Sequence, residues 1–188
     1  MHRLSQKGVG LIEVMVALLL LAVAVLGFSA LNMVAINATD NSVVRVKSTT
    51  IIRSISEDLR LNPNSIPIYQ ANIQQVLGSV SAAKNYCQAT AAFKTTKVEE
   101  NCDSVTCTET EVANYDSWRM MQQACDNEVL LNMVDCPGTA NKQVRQCVII
   151  SWGDTKPVLS DTTSNNKPCT NLSGTYYSDS ECLIMESY

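Results

Sequence analysis

The chain reads as an α+β protein: one long N-terminal helix carrying a small antiparallel β-sheet domain stabilised by disulfides. Three observations predict this. The run from Val9 to Leu31 is uncharged apart from Glu13 and long enough to form a membrane-length helix. All eight cysteines lie beyond that run. Segments with strand character are grouped after helical ones instead of alternating with them, which is the pattern of an α+β domain.

Length and charge set the frame for these elements. With 188 residues there is room for one N-terminal span and one domain of ordinary size. The net charge is −4, and without Met1 to Gly8, which hold Arg3 and Lys7, 12 basic residues face 18 acidic ones, giving −6. Such a balance leaves no basic patch to neutralise phosphates, so nucleic acid is excluded as a partner class.

The first element is the segment Lys7-Gly8-Val9-Gly10-Leu11-Ile12-Glu13 and the apolar run behind it. Val9 to Leu31 is 23 residues, about 34 Å of helix at roughly 1.5 Å per residue, which suffices to cross a hydrocarbon core of about 30 Å. Arg3 and Lys7 precede it and the next basic residue is Arg45, so the positive-inside rule predicts the leader in the cytoplasm and the bulk of the chain outside. A secretory signal would have a shorter apolar core and then a small-residue cleavage site. Ala22-Val23-Ala24 has the residue types of such a site but lies in mid-run. Glu13 is the unusual feature, because a carboxylate inside a spanning helix costs on the order of 2.5 to 3.5 kcal/mol on insertion scales. An interfacial glutamate that snorkels to the headgroups is the simpler reading of Glu13 taken alone.

Asn32 to Asn62 continues the helix. Ile51, Ile52, Ile55 and Leu59 recur at helical spacing, with Arg53, Ser54, Glu57, Asp58 and Arg60 on other faces, so one apolar stripe is laid on the domain. Asn62-Pro63 ends it, since the residue before proline is pushed out of the α region. The domains expected are therefore a leader at 1–8, a span at 9–31, an amphipathic continuation at 32–62 and a globular domain at 63–188.

Within that domain, Asn64 to Gln88, broken by Pro67 and Gly78, reads as loop with irregular or short helical structure. Thr108-Glu109-Thr110-Glu111 fits a capping box, and Val112, Tyr115, Trp118, Met121, Cys125 and Val129 extend a second helix over roughly 109–131. Cys136-Pro137-Gly138 is a turn. Val144 to Trp152 reads as a strand because Val148, Ile149 and Ile150 are β-branched and Gly153-Asp154 ends the run. Val158-Leu159 is a short partner, 160–167 a polar loop, and Cys182 to Met185 the last strand.

The even cysteine count on one side of a membrane-length segment points to disulfides in an oxidising compartment. Zinc is disfavoured: Cys87, Cys102, Cys107, Cys125, Cys136, Cys147, Cys169 and Cys182 include no Cys-x-x-Cys, and the only histidine is His2. Eight cysteines allow 105 pairings, and spacing alone does not choose among them. The single leader histidine also excludes Ser-His, Cys-His and H-E-x-x-H chemistry, and no glycine-rich phosphate loop is present. Glu99, Glu100, Asp103, Glu109 and Glu111 form an acidic run that reads as solvated surface and lacks the spacing of a calcium loop. Trp118 and Trp152 read as core residues ahead of a groove lining. No cofactor is expected, and no enzyme activity.

Taken together, Lys7-Gly8, Glu13 and the uninterrupted apolar helix resemble the class III signal of type IV prepilins. The resemblance implies cleavage by a prepilin peptidase between Gly8 and Val9 and methylation of the Val9 amine. Glu13 is then an assembly residue that pairs with the Val9 amine of a neighbouring subunit, two charges tolerable in an apolar core only as a pair. It also implies the type IV pilin-like fold. Valine where most such chains have phenylalanine, and the absence of proline between Val9 and Asn62, point to a minor pilin.

Arg60-Leu61-Asn62-Pro63, Cys102, Cys107, Ala113-Asn114-Tyr115-Asp116-Ser117-Trp118 and Ile150-Ser151-Trp152 resemble the type IV pilus modification proteins, the PilV type of minor pilin. That likeness implies a subunit that helps start the pilus at its tip with other minor pilins, the major pilin and a tip adhesin, for twitching motility and adhesion. It would wait in the inner membrane with a periplasmic domain before entering the extracellular pilus. A minor pseudopilin of a type II secretion system shares the N-terminal signal; a periplasmic binding protein or enzyme on an uncleaved inner-membrane anchor is the remaining alternative. Pilins commonly close a C-terminal loop with a disulfide, which implies Cys169 with Cys182; Cys102 with Cys107 is the second choice.

Overall fold

The computed structural model describes residues 10–80, 85–139, 144–162 and 167–187. Helix α1 runs unbroken over Leu11–Leu61, followed by a 3-10 turn Pro63–Ser65, α2 at Ile66–Gly78, α3 at Tyr86–Lys97 and α4 at Glu109–Asp126. Strands β1 (Leu130–Asp135), β2 (Gln146–Ser151), β3 (Thr155–Leu159), β4 (Lys167–Thr170) and β5 (Cys182–Glu186) complete the chain. Two compact units are formed, one ending at Val43 and the other spanning Val44 to the C-terminus.

The α+β expectation holds, with changes in detail. The main sheet has the order β1-β2-β5 and both pairings are antiparallel, with Met133 opposite Val148 and Ile149 opposite Ile184. Every residue of β2 is buried, as expected for a central strand covered on both faces. Val148 and Ile150 face the helices in the larger core, while Ile149 turns to a smaller cluster with Cys169 and Cys182.

In the larger core, Ile51, Ile52, Ile55 and Leu59 of α1 meet Ile66, Tyr69, Ile73 and Val76 of α2 and Ala113, Met120, Met121 and Ala124 of α4. The α1 stripe is the one the periodicity predicted. At the β1 edge, Gln74 of α2 donates to the Met133 carbonyl at 2.9 Å. At the β5 edge, the Tyr176 hydroxyl accepts the Ile184 N–H at 2.9 Å. Both contacts occupy backbone groups that an open edge would leave free.

Four departures from the sequence reading have identifiable causes. Pro67 does not break the chain; it lies in the first turn of α2, where its missing N–H would be unpaired anyway. Helix α3 was not anticipated, because its inward face consists of only Tyr86, Thr90 and Phe93. The helix expected over 109–131 stops at Asp126. Glu128 takes φ 57°, the Glu128 N–H donates to the Cys125 carbonyl and the Val129 N–H to the Ala124 carbonyl, each at 3.0 Å. This is a Schellman termination, and the apolar residues after it pair with β2 as β1. Finally, β3 and β4 pair parallel with each other in a separate two-stranded sheet, so the single antiparallel sheet foreseen is supplemented by a second, and Lys167 starts a strand instead of ending a loop.

Candidate assembly site

Among the described residues, the apolar side chains of the N-terminal unit's helix are exposed along its length. Leu11 is 80% exposed and Leu26 and Leu31 are each 71% exposed. A monomer in water rarely shows a contiguous apolar surface of this extent, so the surface is meant for lipid or for other chains. By length and composition α1 can cross a membrane. Its hydroxyls fit the same purpose, since Ser29, Thr39 and Ser42 donate to the carbonyls of Val25, Ala35 and Ala38, each at 2.9 Å. Each of these three hydroxyl protons thus has an acceptor within the helix, as an apolar surrounding would require.

Glu13 sits in the first turn of α1, with its N–H donating to the Gly10 carbonyl at 2.9 Å. There its carboxylate faces the positive end of the helix dipole, a favourable position for an anion. It is the only ionisable residue of the helix before Asp40. Gly8 and Val9, the expected cleavage and methylation positions, lie outside the described residues.

The cysteines are brought together in four disulfides. Cys87–Cys125 ties α3 to α4, and Cys102–Cys107 closes the loop before α4. Cys136–Cys147 joins the ends of β1 and β2, while Cys169–Cys182 links β4 to β5. Three of the four fasten neighbouring elements of the domain, the Cys102–Cys107 bond closes a loop, and no free cysteine is left.

The acidic run is put to structural use. Glu111 completes the capping box, accepting from the Thr108 N–H at 2.7 Å while its own N–H donates to Thr108 Oγ1 at 3.4 Å. The Thr108 N–H first, and then the Thr108 hydroxyl, which donates to the same carboxylate at 2.8 Å, hold the Glu111 carboxyl below its ordinary range. Glu109 accepts from Ser65 at 3.4 Å and Asp103 from the Tyr115 hydroxyl at 2.6 Å. Among the described residues no three His, Cys, Asp or Glu side chains are grouped to hold a metal. Trp152 is buried, whereas Trp118 is half-buried beneath Lys94, whose Nζ lies 4.0 Å from the ring centroid.

Sequence reasoning did not single out a polar knot on the same helix. The Tyr69 hydroxyl of α2 donates to Asp116 of α4 at 3.2 Å, and Asp58 near the end of α1 and Arg119 of α4 act on the same charges. Burial pushes the Asp58 carboxyl above the carboxylate range, and the Asp116 charge pushes it further, with Arg119 opposing. Burial also raises Asp116 against the Tyr69 hydrogen bond and Arg119. No local motif signals this, because its members come from three helices far apart in sequence.

Comparison with known proteins bears on both units. Residues 3–29 match the prokaryotic N-terminal methylation motif, and residues 30–118 match the family model described as type IV pilin Tt1218. No curated protein and no solved structure gave a match. The two matched stretches adjoin and cover the N-terminal helix, α2, α3 and the first half of α4, leaving the sheet unmatched. The long apolar N-terminal helix, small antiparallel sheet and disulfide-tied domain fit the α+β fold of the type IV pilins that these two stretches resemble.

Proposed function

We propose that the chain is a minor subunit of a type IV pilus, of the PilV type, that helps begin or cap the filament at its tip. The observation that carries this reading is a bare apolar helix whose first turn holds a lone carboxylate, Glu13. The prepilin peptidase cuts between Gly8 and Val9, the new Val9 amine is methylated, and the leader stays on the cytoplasmic side with the domain in the periplasm. As the subunit leaves the inner membrane, Glu13 pairs with the Val9 amine of a neighbour, so that neither charge stays alone in the filament core.

A minor role is supported by valine at the first mature position and by a helix free of proline from Leu11 to Leu61. Its partners are other minor pilins, the major pilin and a tip adhesin. The test is N-terminal sequencing of the protein from cells with and without the prepilin peptidase, together with deletion of the gene. Val9 as the first residue only when the peptidase is present, with loss of twitching motility, is the expected result. Cleavage with loss of exoprotein secretion instead assigns the chain to a type II secretion filament, and an intact leader in both strains removes the filament reading.

A further inference from the structure

The four disulfides differ in how far they are open to solvent. Cys136 is 7% and Cys147 5% exposed, and Cys169 and Cys182 are 0% and 3% exposed, so a reductant does not reach these two bonds while the sheets are intact. Cys102, Cys107 and Cys125 are half-buried, and Cys87 is the one exposed cysteine. Cys87–Cys125, which ties α3 to α4, is therefore the bond most open to attack.

Its two sulfurs also sit in unequal fields. Cys87 is the second residue of α3, and Cys125 is the last but one of α4. The positive end of a helix dipole favours a thiolate and the negative end disfavours it. Asp126 and Glu128, close behind Cys125, widen the difference. Cys87 is thus the better leaving group, and its stabilised thiolate makes the bond easier to reduce. Cys102–Cys107 differs in both respects: Asp103, Glu109 and Glu111 stand near it in the chain and disfavour a thiolate, and its cysteines are only 5 residues apart, so that it closes again readily.

Without the tie to α4, little holds α3. Its inward side chains are Tyr86, Thr90 and Phe93, and Asn85 at its start makes no side-chain cap. The Thr90 hydroxyl is buried with no hydrogen-bond partner among the described residues, a cost that loosens the seat of the helix. Lys94 over the Trp118 ring, at 4.0 Å, is an exposed contact of modest strength.

We propose that Cys87–Cys125 is a redox-operated clasp: a dithiol reductant opens it while the two sheet disulfides stay closed, and α3 then comes away from α4 without unfolding the sheets. One thiolate of the dithiol attacks the Cys125 sulfur, the bond to Cys87 breaks, and Cys87 leaves as the thiolate. The second thiolate of the dithiol then attacks the first, breaking the mixed disulfide and releasing Cys125. The protein gains two electrons, the dithiol becomes a disulfide, and the two protons lost by its sulfurs match those the cysteines take up on becoming thiols. Opening uncovers Trp118 and the α4 face beneath α3, so the reduced subunit presents a different surface from the oxidised one.

The test exposes the full chain, in detergent micelles with all four bonds formed, to dithiothreitol at pH 7.5. Quenched alkylation with peptide mapping, hydrogen exchange and tryptophan fluorescence follow the reaction. Cys87 and Cys125 are expected to be alkylated first, about 10-fold or more ahead of the four buried cysteines. Amides of α3 should then exchange about 30-fold faster or more, with those of β1, β2 and β5 unchanged and the tryptophan emission moved to longer wavelength. Cys87→Ser combined with Cys125→Ser should show the fast α3 exchange with no reductant present; if that variant does not fold, the partly reduced parent supplies the same comparison. Another disulfide opening before Cys87–Cys125 overturns the proposal, as does α3 exchange that stays slow once both cysteines are alkylated.

Discussion

Glu128 is the residue at which a single substitution tests the reading of the domain most directly. It occupies the position just past α4 with φ 57°, a left-handed conformation that costs an L-residue roughly 1–2 kcal/mol. Glycine pays no such steric cost but loses more freedom on folding, which returns about 0.5–1 kcal/mol. The net expectation for Glu128→Gly is a gain of about 0.5–1 kcal/mol. In a domain of this size that raises Tm by roughly 1–4 °C.

A second contribution has to be separated from the first, because a carboxylate at a helix C-terminus also faces the negative end of the dipole. Glu128→Gln removes the charge and keeps the Cβ, so the difference between the two variants isolates the backbone effect. The assay is far-UV circular dichroism melting of the full chain with its disulfides intact. The two terminating bonds, Glu128 N–H to Cys125 and Val129 N–H to Ala124, are unaffected by either change. If Glu128→Gly were no more stable than Glu128→Gln, the left-handed termination of α4 would be refuted, and with it the start of β1 at Leu130.

Two other outcomes are expected. Ile55 of α1 is fully buried, so Ile55→Ala should cost about 2–5 kcal/mol, read as a lower urea midpoint at unchanged m. Thr108→Ala, which removes the N-cap of α4, should cost about 1 kcal/mol near neutral pH. The Glu111 carboxyl is held below its ordinary range first by the Thr108 N–H, which alanine keeps, and then by the Thr108 hydroxyl, which it lacks; the hydroxyl's contribution is present above that range and lost as pH falls through the depressed value. Urea unfolding of parent and variant at pH 7 and pH 3 should therefore show the gap narrowing in acid without closing, because the Glu111 N–H to Thr108 Oγ1 bond does not titrate.

Several features of the domain were legible in particular residues. The stripe Ile51, Ile52, Ile55 and Leu59 named the buried face of α1, and Thr108 with Glu111 named the start of α4, because both are interactions within one or two helical turns. Val148 to Ile150 gave the central strand, whose neighbours on both faces are apolar. What failed was reading where elements stop. Val129, Leu130 and Leu131 are apolar enough for either helix or strand, and only the pairing of Leu131 with Ile150 decides between them. The stripe proposed for α4 also needed revision: Tyr115 and Met121 are buried, but Val112 and Trp118 are only half-buried, and Ala113, Ser117 and Ala124 take the core positions.

The N-terminal segment was determined by the sequence alone: a basic leader, a glycine, a carboxylate five residues on and an apolar run. Such signals are one-dimensional, since they consist of residue types in a fixed order along the chain and need no distant partner. The tertiary structure decided which cysteines meet, that β3 and β4 run parallel, and that Asp58 lies among Tyr69, Asp116 and Arg119. The disulfides alone join residues as much as 38 positions apart in sequence, Cys87 with Cys125. Loop-closure entropy changes by only about 0.6 kcal/mol for each doubling of length, so chain separation hardly ranks the alternatives. Packing of the whole core against the sheet is what selects one of them.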